Sequence, residues 1–222
     1  MSNNYHTTVG AVAASIPEAI YVFRKLGVDF CCGGKKPLAE ALLEKGVNPD
    51  QFYELVEQEK ARKENVERRD FSNMSQAVLS TYIEDTHHAY LRDTLPEIDA
   101  LLLAVLRAHG KNHGELFETY RLFGRLKADL EQHLIKEETL LFPALSQEGA
   151  QAQIRGLSAE IIEEHEAAGE ILEDLVRVTG GFQVPSDACL SYERVYALLP
   201  AFIEDLHTHI HLENNILLKD LG

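Results

Sequence analysis

The stretch His133-Leu-Ile-Lys-Glu137-Glu-Thr-Leu-Leu-Phe142-Pro-Ala-Leu145 limits the folds open to this chain more than any other. On an α-helix, residues four apart stack on one face about 6 Å apart along the axis, so His133 and Glu137 reach the same point. They lie on the apolar stripe formed by Leu126, Leu130, Leu140, Leu141 and Ala144. A carboxylate on a buried stripe is costly unless it is paired or metal-bound. The pattern recurs at His209-Ile-His-Leu-Glu213-Asn-Asn-Ile-Leu-Leu218, with His209 and Glu213 on the stripe of Leu199, Phe202, Ile203, Leu206, Ile210, Ile216 and Leu217. Two such helices facing each other would gather four ligands. His207 and His211 share a face with Glu204, Thr208 and Asn215, which predicts that they meet solvent.

Helical periodicity runs through four long segments, roughly 75–108, 113–146, 152–178 and 187–219. Most breaks between them are short enough to make neighbouring helices antiparallel, and no strand-like alternation of useful length occurs. The expected fold is all-α, an up-down-up-down four-helix bundle over 75–222 with a small helical domain over 1–65. Pro96 and Pro200 fall inside helical patterns and predict kinks. In the small domain, Ser15-Ile-Pro17-Glu18 reads as a capping box opening a helix that stops at Gly27. Leu38 opens a helix stopped by Gly46, and Asn48-Pro49 starts another. The charged stretch over 61–74 lacks an apolar stripe and is the expected domain boundary.

Two further segments add inward histidines. His165 is in register with Ile161, Ala168 and Leu172. His88 shares a stripe with Leu91, Leu95, Ile98, Leu102 and Val105, and His87 shares one with Ile83, Tyr90 and Leu91, so periodicity favours His88 only weakly. His109 is in phase with His88 but roughly 30 Å further along a continuous helix, a secondary candidate only. Four imidazoles and two carboxylates exceed what one tetrahedral zinc takes and suit two metals sharing the glutamates. Nitrogen and oxygen donors without thiolate favour iron over manganese or zinc. Histidine precedes glutamate at i, i+4, unlike the Glu-x-x-His of ferritin-like sites.

These features resemble the hemerythrin-like superfamily. Together with Ser15-Ile-Pro-Glu-Ala, Phe23-Arg-Lys and Asp29-Phe30-Cys31-Cys32-Gly33-Gly34-Lys35, the chain is similar to the iron–sulfur cluster repair family of di-iron proteins. The likeness rests also on His133-x-x-x-Glu-Glu-x-x-Leu-Phe-Pro, Glu164-His-x-x-Ala-Gly and His209-x-x-x-Glu-Asn-Asn. The resemblance implies metal ligation by His88, His133, Glu137, His165, His209 and Glu213, which selects His88 over His87. It also implies two non-haem iron ions per chain, which can carry an oxo bridge, and damaged iron–sulfur proteins as partners. The fourth helix departs from the family in ending Ile-Leu-Leu-Lys where Leu-Phe-Pro is expected.

A net charge of −15 disfavours nucleic acid and anionic membranes and suits a cation. Three cysteines are too few for a disulfide framework, and the N-terminus lacks the pattern of a secretory signal. A cytoplasmic protein is expected, and a homodimer is compatible with the sequence. Cys31 and Cys32 read either as a small apolar pair before a glycine turn or as thiols that bind iron or NO or relay redox equivalents. Cys189 reads as structural. Three functions compete: repair of iron–sulfur clusters after nitrosative or oxidative damage by supplying iron, enzymatic NO reduction, and an O₂- or iron-sensing module. NO and O₂ are the small ligands expected.

Overall fold

A computed structural model describes residues 7–62, 71–219 and 221. Among them the chain is helical, with one isolated bridge between Thr8 and Pro37 and no strand. Two compact units arise: Met1–Leu79 with Ile210–Gly222, and Ser80–His209. The division thus falls inside the last helix. The boundary expected over 61–74 rests on residues 63–70, which lie outside those described.

In the first unit, α1 (Val9–Ser15), α2 (Pro17–Leu26), α3 (Leu38–Glu44) and α4 (Pro49–Arg62) follow one another. Helix α1 was not expected. Thr8 caps it, its Oγ1 accepting from the Ala11 amide at 3.2 Å. The capping box expected at Ser15 does not form. Ser15 is the last residue of α1, and its hydroxyl donates back to Ala11 O at 2.8 Å. A box does form at α4, where Asn48 Oδ1 accepts from the Gln51 amide and Gln51 Oε1 from the Asn48 amide. Helix α2 ends at Gly27, whose φ of 65° is the left-handed cap conformation that glycine adopts without a Cβ penalty. The Val28 amide then donates to Phe23 O at 2.8 Å, closing the cap. Phe23 stacks on Phe52 at 4.9 Å, and Val22, Leu42 and Val56 complete a buried core. Each such side chain contributes about 1.5–3 kcal/mol of burial.

The remaining helices are α5 (Gln76–Ile83), α6 (Ala89–His109), α7 (Glu115–Lys136), α8 (Phe142–Leu145), α9 (Gln151–Val178) and α10 (Leu190–Leu212). They fill the four segments expected from periodicity, and α6 and α10 run through Pro96 and Pro200. Helix α7 packs against both α6 and α9. Leu95, Ile98, Phe123, Leu126, Leu172 and Phe202 are among the side chains buried between these helices.

Among the described residues three wide π turns interrupt the regular helix, at Glu84–His88, Glu137–Leu141 and Glu213–Leu217. Their hydrogen bonds span five residues: Ala89 N–H to Glu84 O, Phe142 N–H to Glu137 O, and Leu218 N–H to Glu213 O. Threonine hydroxyls donate to the carbonyl four residues back in the first two, Thr86 to Tyr82 and Thr139 to Ile135. Such turns occur mostly as single bulges, frequently at functional sites. Here each one begins or ends on a residue singled out as a ligand.

Candidate metal centre

Every candidate ligand is carried on a helical segment. His88 closes the first π turn, His133 sits near the end of α7, and Glu137 opens the second π turn. His165 lies mid-way along α9, His209 near the end of α10, and Glu213 opens the third π turn. All six are at most 3% exposed. Their donor atoms fall into two groups, His88-Glu137-His209-Glu213 and His133-Glu137-His165-Glu213, mutually within 4.8 Å. The histidines divide two and two, and both carboxylates belong to both groups.

The close contacts have the spacing of ligands around a cation. His88 Nε2 lies 3.1 Å from His209 Nε2, and His165 Nε2 lies 3.1 Å from His133 Nε2. Glu137 Oε2 is 3.3 Å from both His88 Nε2 and His133 Nε2. Donors bound at about 2.1 Å and at right angles would stand about 3.0 Å apart. Four inward imidazole nitrogens and two buried carboxylates therefore fit transition-metal ions without rearrangement.

An outer layer fixes which ring nitrogen points inward. His88 Nδ1 is 2.7 Å from Glu138 Oε1, and His133 Nδ1 is 2.8 Å from Glu164 Oε2. A carboxylate on Nδ1 holds the proton there and leaves the Nε2 lone pair for a metal. Arg92 anchors Glu138, and Lys136 anchors Glu164 while also reaching Glu160 at 3.3 Å. His133 foremost, then Lys136, draws Glu164 down to a pKa of about 2. Glu138 and Glu164 were not assigned a role from sequence. The available signal was adjacency, since each neighbours a ligand in Glu137-Glu138 and Glu164-His165. Replacing either by glutamine should lower iron affinity 10- to 100-fold, roughly, with all ligands in place. Competition with a calibrated chelator would measure it, and unchanged affinity would make both bystanders.

The remaining histidines separate. His87 is buried beside the centre and not in it: its Nδ1 is 2.9 Å from Asp205, and its ring stacks on His209 at 5.8 Å. His109 joins neither group and meets His113 and Asp187 instead. His207 is half-buried. His211, expected in solvent, is buried. Its ring meets Phe30 edge-on at 5.7 Å, and burial lowers its pKa to about 4, so it is neutral at pH 7. The α10 face read as solvent-exposed is covered there by the Phe30 segment of the same compact unit.

Cys31 and Cys32 lie in that segment, with sulfurs 3.9 Å apart, and none of the three cysteines is in a disulfide among the described residues. Asp29 shapes their turn, accepting from the amides of Cys31, Cys32 and Gly33 at 3.0, 3.0 and 2.7 Å. The hydrogen bond with Cys32, followed by burial, pushes the Cys31 thiol well above its ordinary pKa, so it is protonated rather than thiolate. Asn215, two residues beyond Glu213, donates to Phe30 O and Cys31 O at 3.3 and 3.1 Å. Cys189 is exposed.

Known proteins resemble the chain along most of its length. A hemerythrin HHE cation-binding domain matches residues 80–221, and a domain of unknown function (DUF542) matches residues 5–60. The iron-sulfur cluster repair protein YtfE of Pectobacterium atrosepticum is 35% identical over 95% of this chain and 94% of its own length. A probable iron-sulfur cluster repair protein of Haemophilus influenzae is 34% identical over 93% and 92%. The iron-sulfur cluster repair protein ScdA of Staphylococcus haemolyticus is 30% identical over 94% and 95%. Among the described residues no helix is long and apolar enough to cross a membrane.

Proposed function

The chain belongs to the hemerythrin HHE cation-binding family, and on that premise we propose that it repairs damaged iron–sulfur clusters by supplying iron from a two-iron centre. The observation that carries the reading is the division of four buried histidines into two pairs sharing Glu137 and Glu213. His88 with His209, and His133 with His165, would each hold one iron, with the two carboxylates bridging. The names of the relatives support repair as the task. When bound, the irons supply a stock of metal for rebuilding clusters and an exchangeable position for NO or O₂.

The chain's own residues prepare the site to hold iron and to release it. Glu138 and Glu164 keep the His88 and His133 protons on Nδ1. His209 and His165 face those two rings nitrogen to nitrogen at 3.1 Å, so each pair can close on a shared proton once the metal leaves. The emptied site then keeps its hydrogen bonds, which lowers the cost of giving iron away. The clients are damaged iron–sulfur proteins, and the setting is the cytoplasm. NO reduction gains less support, because a step starting from a Cys31 thiolate must first overcome the protonated state of that thiol.

The test is restoration of an NO-damaged iron–sulfur enzyme by iron-loaded protein under anaerobic conditions. Activity should return in proportion to the iron transferred, and neither metal-free protein nor iron-treated Glu137→Leu should restore it. Equal rescue by Glu137→Leu, or catalytic turnover of NO without iron transfer, would sink the proposal.

A further inference from the structure

We infer that His109, His113 and Asp187 form a second divalent-cation site, remote from the bundle centre, and that zinc is the cation it suits best. Helix α6 holds 21 residues between the two places, so His109 stands roughly 30 Å from His88 along the axis. The two sites share no residue.

Two separate segments converge to make it. His109 is the last residue of α6, and the His113 amide donates to His109 O at 3.0 Å, a further helical turn that brings the two rings within 6.1 Å. Asp187 comes from the loop before α10, with its oxygens 3.0 and 3.1 Å from His113 Nε2. One donor atom from each of the three lies within 4.8 Å of the others. The fully buried Tyr192 meets the rings of His109 and His113 edge-on at 5.4 and 5.7 Å, giving the pocket a fixed wall.

An outer carboxylate is in place as well. Glu115, at the start of α7, lies 3.2 Å from His113 Nδ1. That contact assigns the proton to Nδ1 and turns the Nε2 lone pair towards Asp187, as at the bundle centre. Two imidazoles and one carboxylate suit a borderline cation such as zinc, with water free to take the outward position because Asp187 is exposed. Without a cation, hydrogen bonds accepted by Asp187 and then Glu115 raise the His113 pKa above its ordinary value. Zinc therefore displaces a proton from Nε2, and its affinity should fall as pH drops. His109, Glu115 and Asp187 are the ionisable groups facing that proton, together with Tyr192. Bound zinc would tie the loop before α10 to the turn between α6 and α7.

The experiment is calorimetric titration of the full-length, iron-loaded protein with zinc chloride, with iron content measured before and after. One equivalent of zinc should bind with the iron retained, and it should raise the Tm. His113→Ala and Asp187→Asn should abolish both effects, and Glu115→Gln, which keeps every ligand, should weaken binding roughly tenfold. His109→Gln, at a helix end, repeats the test without altering the loop. No saturable uptake, uptake unchanged in these variants, or zinc entering in exchange for iron would overturn the site.

Discussion

Replacing Glu137 with leucine is expected to empty the bundle of iron while leaving the metal-free fold at least as stable as the parent. Glu137 is fully buried, and its Oε2 lies 3.3 Å from His88 and His133 and 4.0 Å from His209. Removing one member of a buried ion pair usually costs about 3–5 kcal/mol, because the other charge is stranded. That does not apply here. The imidazoles left behind face each other at 3.1 Å, and His88 and His133 keep Glu138 and Glu164 on their outer nitrogens. Replacing a buried carboxylate by an apolar side chain of similar volume is then neutral or stabilising, by about 1–4 kcal/mol. The loaded protein responds in the opposite direction. A ligand present at a hundredfold its Kd stabilises the native state by about 2.7 kcal/mol, and the variant forfeits that. Metal analysis and urea unfolding of both forms separate the effects. A metal-free variant weaker by several kcal/mol with its iron retained would make Glu137 a structural residue.

The parts of the site that were legible in the sequence are those governed by a 3.6-residue period. His133, His165 and His209 lie on stripes within regular helix, and all three are buried. One misreading falls inside a π turn. A turn that takes one residue more rotates everything after it relative to the expected face. Leu140, placed on the stripe, is 46% exposed, whereas Leu141 beside it is buried. In the first π turn both His87 and His88 are buried, which is why periodicity separated them only weakly. Glu137 and Glu213 survived because each opens its turn and so still follows the phase of the helix before it. His211 failed for a different reason. Its face is covered by Phe30, which is 181 residues away in sequence, and no local pattern registers such a partner. Ser15 failed because the serine that can open α2 also ends α1, an element built from small residues with a faint stripe.

The second large effect is expected where Asn215 meets two glycines. A Cβ on Gly34 would lie 2.1 Å from Asn215 Oδ1, and one on Gly10 would lie 2.0 Å from the same atom. The Asn215 side chain thus fills the space that two Cβ atoms would need, while its amide holds the carbonyls of Phe30 and Cys31. Gly34→Ala must push this amide out. The expected cost is about 1–3 kcal/mol from overpacking, with a similar amount where the carbonyls of Phe30 and Cys31 lose the Asn215 amide, Phe30 O keeping the longer contact with His211 Nδ1 at 3.4 Å. Asn215→Ala opens the same space and loses the same hydrogen bonds. The two changes therefore should not add: in an Asn215→Ala background, Gly34→Ala should cost almost nothing, a coupling of at least about 1 kcal/mol. Labelling of the Cys31 thiol provides a local readout, since Cys31 is 5% exposed and reacts only when its turn opens. Either single variant should speed labelling at least tenfold, roughly 1.4 kcal/mol in the opening equilibrium, and the double variant should add little. Additive costs, or labelling indifferent to Asn215, would mean that the turn carrying the cysteines is held by Asp29 alone.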